Sequence, residues 1–195
     1  LGSSLVIIFG FFDDKYQLPA RLRLLLSMIA VFLVMLGGIN FDGITNPFGG
    51  TIGLDMFKIK TFWGVILPFA DLLVFVWLLG MAYSTKVLDG LDGLASGVSV
   101  IGALMIAALA STAKFYQPDI RLLALIFAGA IIGFWWFNFY PAKIFLGEGG
   151  SLLLGLVLGY LAVVSGGKIA TALLVMAIPV FDLARVIFHR LKNKQ

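Results

Sequence analysis

Long apolar runs, interrupted at a few places by charge, organise this chain. They fall at 1–12, 21–38, 62–83, 94–113, 121–140, 150–166 and 169–189. A helix needs about 20 mostly apolar residues to cross a bilayer. The runs therefore predict about six full spans and one truncated span at the start. Nothing in them alternates as barrel strands do, and a helical bundle is the other structure that satisfies its backbone in lipid. The expected fold is all-α, a polytopic transmembrane helix bundle. The runs at 94–113 and 150–166 are rich in Gly, Ala and Ser, which suits close helix packing. Between the second and third runs, Asn46-Pro47, Gly49-Gly50 and Gly53 are turn signals, and 51–59 alternates weakly. That segment predicts a small external hairpin.

Composition supports the membrane reading. The chain is 61% hydrophobic and 12% charged, against about half and a quarter in soluble domains. With no cysteine there is no disulfide framework. The net charge of +4 comes from basic residues spread along the chain, so no nucleic-acid partner is expected. The first run lacks a Met and a basic leader, so it does not read as a signal peptide. The expected organisation is one membrane domain, 1–195, as a fragment of a larger multi-span protein with parts missing at both ends.

Crossing parity makes a sharper statement. Seven crossings starting from the first run bring 13–23, 84–93, 141–149 and the tail after 189 to one side. Of the 14 Lys and Arg, nine fall on that side, counting Arg185 near the inner end of the last run, and five on the other. Basic residues favour the cytoplasm, so the shared side is expected to be the cytoplasmic face of the plasma (inner) membrane.

Three acidic motifs lie on that side: Asp13-Asp14, Asp89-Gly-Leu-Asp92-Gly, and Gly147-Glu148-Gly-Gly-Ser151. Ionisable groups beside hydrocarbon are costly and default to a functional reading. Each also has a plainer one. Adjacent Asp at a helix C-terminus oppose the macrodipole and each other, which a cation or metal would relieve. On a helix, Asp89 and Asp92, three apart, would share a face, though Asp92 could also serve as an N-cap for the run at 94. The Gly-rich loop at 147 opens a helix, offering N–H groups to an anion, and Glu148 could hold a hard cation through oxygen. Lys86, Lys143, Arg21 and Arg23 fit topology signals and phosphate contacts equally. Within the spans, Asp182 is expected to pair with Arg185, and Asp71 has no obvious partner. His189 reads as interfacial.

Three stretches resemble a known family: Phe12-Asp-Asp-Lys-Tyr-Gln-Leu-Pro-Ala-Arg-Leu-Arg-Leu-Leu, Asp89-Gly-Leu-Asp-Gly-Leu-Ala, and Phe137-Asn-Phe-Tyr-Pro-Ala-Lys-Ile-Phe-Leu-Gly-Glu-Gly-Gly-Ser. They look like the polyprenyl-phosphate N-acetylhexosamine-1-phosphate transferases, glycosyltransferase family 4. Asn46-Pro-Phe-Gly-Gly looks more like the undecaprenyl-phosphate GlcNAc-1-phosphate branch than the phospho-N-acetylmuramoyl-pentapeptide branch. The resemblance implies a metal-dependent phosphotransferase. It would move a sugar-1-phosphate from a UDP-amino sugar to undecaprenyl or a similar polyprenyl phosphate and release UMP. Mg²⁺ or Mn²⁺ is the implied cofactor, and cell-envelope polysaccharide synthesis the implied process. By the same resemblance Asp13, Asp14 and Asp92 are catalytic. Asp89, Lys86, Asn138, Phe145, Arg21 and Lys143 bind substrate, and Glu148, Asp14 and Asp92 hold metal. The bilayer and a second copy of the chain complete the expected partners. Glu148 stands where the family carries Asp, and Lys86 where it carries Asn. The family's His-rich loop would follow Gln195.

The alternatives are the muramoyl-pentapeptide branch, a non-catalytic relative, and a transporter. A transporter would want mid-span acids and an internal repeat. A CDP-alcohol phosphotransferase is rejected, because Leu94-Ala-Ser-Gly follows the Asp-Gly motif where an Ala-Arg pair is required.

Overall fold

The computed structural model describes residues 2–36, 43–45, 51–53, 59–61, 64–66, 68–113 and 116–165, with 181, 185 and 188 as single helical positions. Among the described residues six helices can be bounded, in order: α1 Gly2–Tyr16, α2 Ala20–Met35, α3 Pro68–Leu88, α4 Leu94–Ala110, α5 Pro118–Asn138 and α6 Gly147–Val164. Two short antiparallel strand pairs lie in the connection from α2 to α3. β1 Gly43–Thr45 pairs with β2 Thr51–Gly53, with Ile44 opposite Ile52; β3 Ile59–Thr61 pairs with β4 Gly64–Ile66, with Lys60 opposite Val65.

Helix limits follow local chemistry. Pro118 opens α5 from within its first turn, a position where the missing N–H costs nothing. The third apolar run was expected to be helical from 62, yet helix begins only at Pro68. Gly64, Val65 and Ile66 are poor or β-branched helix formers and go into β4 instead. At the end of α4, the hydroxyls of Ser111 and Thr112 donate to the carbonyls of Ala107 and Leu109, taking up the last turn at 110 rather than 113.

Helix α6 is the hub. It packs on α1, α3 and α4, while α1 also meets α2, and α4 meets α5. Leu152, Leu156 and Val163 of α6 join Val6, Phe9, Ala30, Val74 and Leu78 in one core. Leu158, Leu161 and Ala162 join Met81, Ala103, Ile106 and Ala124 in another. Gly10 and Gly149 meet where α1 crosses α6, and a Cβ on Gly149 would lie 3.1 Å from the Gly10 Cα. Small residues at such a crossing let backbones touch. The outward faces are apolar too, with Leu122, Leu125, Ile126 and Trp136 of α5 exposed. An apolar exterior on an apolar core is the pattern of a membrane protein. Among the described residues, three helical stretches are long and apolar enough to cross a membrane: 71–88, 118–138 and 147–164.

Most of the seventh run, Asp182 and His189 included, lies outside the described residues, and so does the expected Asp182–Arg185 pair, of which only position 185 is described. Asp71, expected to stand alone, engages a partner.

Candidate functional site

The C-terminal ends of α1 and α3 and the N-terminal end of α6 meet at one end of the bundle. Periodicity places the acids. The buried residues of α1 are Gly2, Val6, Phe9, Gly10 and Asp13, one helical stripe that ends on a carboxylate. Asp13 is 3% exposed, whereas Asp14, one position around, is exposed.

Each acid of the pair has its own relief. Asp13 Oδ1 accepts the Leu18 N–H at 2.8 Å, closing the α1–α2 turn in which Gln17 takes a left-handed φ of 49°. Its Oδ2 faces Arg23 Nε at 3.5 Å, with both atoms buried and without a hydrogen bond. Asp14 Oδ1 accepts the Glu148 N–H at 3.0 Å. The anion at the start of α6 is thus the chain's own Asp14, favoured there by free N–H groups and the helix dipole. Gly147 makes room for it. Its φ is +69°, and a Cβ there would sit 2.5 Å from Asp14 Oδ2.

Glu148 is clamped between two cations. Arg23 Nη1 donates to its Oε1 at 3.2 Å, and Lys86 is ion-paired with its Oε2. Asp89 completes the group. Its pKa is pushed up to about 6, first by burial and then by the charges of Glu148 and Asp14. The fold brings Asp13, Asp14, Lys86, Asp89 and Glu148 together at this end of the bundle.

A second set of contacts fixes the loops around this cluster. Asp92 does not cap α4. The residue at the cap is Gly93, with φ 73° and no side-chain cap bond. Asp92 Oδ2 instead accepts the Ala142 N–H at 3.1 Å, tying the Asp-Gly loop to the 139–146 loop. Trp135 Nε1 donates to the Gly93 carbonyl at 3.0 Å. Asn138 is buried, with its amide NH₂ donating to the Ile144 carbonyl at 2.9 Å and its Oδ1 accepting from the Ser96 hydroxyl at 2.8 Å. Its polar groups face protein in this structure. Phe145 is 76% exposed, and Arg21 and Lys143 are exposed near the same end.

Trp135 was not singled out from the sequence, and Arg23 was weighed there only beside Arg21, Lys86 and Lys143, as a topology signal or a phosphate contact, not as a partner of Asp13 and Glu148. For Arg23 the signal was present. The buried positions of α2 are Ser27, Ala30 and Val31, and counting back four from Ser27 reaches Arg23, not Arg21.

Oxygen donors suit a hard divalent cation. Asp14, Asp89 and Glu148 supply them, and their mutual repulsion, seen at Asp89, is what such a cation would relieve. Among the described residues, no three acids are yet gathered tightly enough to hold a metal.

The family model for glycosyl transferase family 4 matches residues 1–166 of the chain. The chain belongs to that family. A probable undecaprenyl-phosphate N-acetylglucosaminyl 1-phosphate transferase of Bacillus subtilis (strain 168) is 33% identical across 100% of the chain and 52% of that protein. A decaprenyl-phosphate N-acetylglucosaminephosphotransferase of Mycolicibacterium smegmatis is 29% identical over 87% of the chain and 41% of its own length. A phospho-N-acetylmuramoyl-pentapeptide-transferase of Streptococcus sanguinis is 32% identical over 93% of the chain and 54% of its own length. The chain spans about half the length of these curated relatives. The matched residues of this family 4 chain include every member of the acidic cluster.

Proposed function

We propose that the protein containing this chain transfers a sugar-1-phosphate from a UDP-N-acetylhexosamine to a membrane polyprenyl phosphate, releasing UMP. One observation carries the reading: Asp13, Asp14, Asp89 and Glu148 converge with Arg23 and Lys86 at one end of an apolar bundle. A membrane-bound phosphate and a soluble nucleotide can meet only at such an interface. The full architecture would be the six spans and truncated first span expected from the sequence. The cluster would face the cytoplasm.

The chemistry asks for positioning and neutralisation of charge. Asp14, Asp92 and Glu148 would hold Mg²⁺ or Mn²⁺, with Asp89 beside them. The bound metal would supply neutralisation of the pyrophosphate and the departing UMP. Asp13, held rigid by Leu18 and Arg23, would orient the acceptor phosphate and take its proton. Lys86 and Arg23 are the cations nearest the cluster, and Arg21 and Lys143 would meet phosphates at its rim. Phe145, exposed on the loop, would stack on the uracil ring. The relatives named for N-acetylglucosamine transfer favour that donor class over the muramoyl-pentapeptide one.

The test is UMP exchange. Membranes carrying the full-length protein, given Mg²⁺ and UDP-N-acetylglucosamine, should incorporate labelled UMP into the nucleotide sugar. Asp13→Asn should reduce exchange by roughly 10²-fold or more, the scale of losing a positioned acid–base group. Folded protein that exchanges UMP with no UDP-N-acetylhexosamine would sink the reading.

A further inference from the structure

Both carboxylate oxygens of Glu148 are taken by cations from other helices: Oε1 by Arg23 of α2 at 3.2 Å, Oε2 by Lys86 of α3. The two cations are not equivalent. Arg23 also faces Asp13 at 3.5 Å, so its guanidinium has a second anion to hold it in place. Lys86 is a compact, hydrated ammonium on a flexible stem. The ring of Tyr83, one turn back on α3, lies 5.8 Å from its Nζ and gives the ammonium a second place to rest. The Lys86 and Glu148 side chains are only 25% and 26% exposed, so their contact is poorly screened by solvent.

We propose that Lys86 and a divalent cation compete for the Glu148 carboxylate, the ammonium closing the metal position until the cation displaces it toward Tyr83. The inference takes Glu148 as a metal donor, which is part of the function proposed above. The physics is a comparison of two cations at one oxygen. A dication at about 2.1 Å attracts the carboxylate more strongly than an ammonium at contact distance. Both cannot sit on Oε2, and a retained ammonium would repel the arriving metal. Arg23 stays, because leaving would strand buried Asp13. Lys86 is therefore a positioning residue whose release is coupled to metal loading.

Metal affinity in the absence of substrate tests this directly. Full-length protein in detergent is stripped with chelator and titrated with Mn²⁺, and free Mn²⁺ is followed by electron paramagnetic resonance. Lys86→Gln removes the competitor and should bind Mn²⁺ about tenfold tighter than wild type. Lys86→Arg grips Glu148 with a planar fork and should bind severalfold weaker. Because the two shifts are opposite, loss of one variant to misfolding leaves the other decisive. An unchanged or reversed shift in either folded variant overturns the proposal. Adding Glu148→Gln should erase the difference between the wild-type and Lys86→Gln backgrounds, as a double-mutant cycle reads it. A difference that survives overturns it as well. Absent UMP exchange with these Mn²⁺ shifts intact would remove the transferase reading and leave the competition standing.

Discussion

Among the described residues, Asp89 is the carboxyl whose ionisation is most disfavoured. Its pKa rises from 3.8 to about 6, chiefly because burial disfavours the ion and then because Glu148 and Asp14 repel it. The folded state thus keeps a proton that the unfolded chain releases, and stability falls as pH climbs from about 4 to about 6. Above that window the penalty is complete. The full shift is worth about 3 kcal/mol, but Asp89 is only half-buried, and solvent screening reduces this to about 1 kcal/mol. Asp89→Asn should therefore raise the melting temperature by about 2–4 °C at pH 7 in chelator, with no gain at pH 4. Thermal unfolding in detergent at the two pH values checks it, and an equal gain at both would show that charge is not the cause. The same residue shows what a sequence reveals. That Asp89 needed more than capping to explain it was legible from its place beside an apolar run. Its neighbours were not, because they come from α1 and α6, 75 and 59 positions away in the chain.

At the scale of elements, the α1–α6 crossing sets the cluster's geometry. Asp14 reaches the Glu148 N–H only because Gly10 and Gly149 let the two backbones touch. A Cβ on Gly10 would collide with the Gly149 backbone, which cannot swing aside as a side chain can. Gly10→Ala should cost about 1–3 kcal/mol, as overpacking does, and should pull Asp14 off α6. Gly133→Ala in α5 meets nothing within 4 Å and should stabilise by about 0.5–1 kcal/mol through helix propensity. Comparing their melting temperatures separates packing from propensity; a Gly10→Ala protein as stable as Gly133→Ala would contradict the crossing. The sequence announced that the 150–166 run was built for close packing, since its small residues are visible. It could not announce the partner, because a stripe of Gly and Ala fits any smooth helix face. The helix start at Pro68 was missed for a related reason: Gly64, Val65 and Ile66 are apolar enough to extend a span, and only their propensity argues for β4.

For the whole molecule, parity is the strongest constraint, and the chain offers a clean way to test it. The Asp-Gly loop and the 111–113 turn lie at opposite ends of α4, a helix of 17 residues. At about 1.5 Å per residue it spans about 26 Å, a little short of the ~30 Å hydrocarbon core. It is not among the three described stretches long and apolar enough to cross, so its crossing is itself what the labelling decides. If the acidic cluster faces the cytoplasm, Leu91 must be cytoplasmic and Thr112 external. Both are exposed, and the chain contains no cysteine to interfere. With any cysteine outside these 195 residues replaced, Leu91→Cys and Thr112→Cys, each alone, give single thiols at the two ends. A maleimide that cannot cross membranes should label Thr112→Cys in intact spheroplasts and Leu91→Cys only in inverted vesicles. The opposite pattern would put the cluster outside, away from any cytoplasmic nucleotide sugar, and would end the proposed function whatever the cluster's geometry. Labelling of both from one side would break the parity itself, since α4 would then not cross. The basic residues lean nine to five toward the expected result, a bias each added Lys or Arg can shift. The labelling pattern depends on α4 alone and decides between the two orientations.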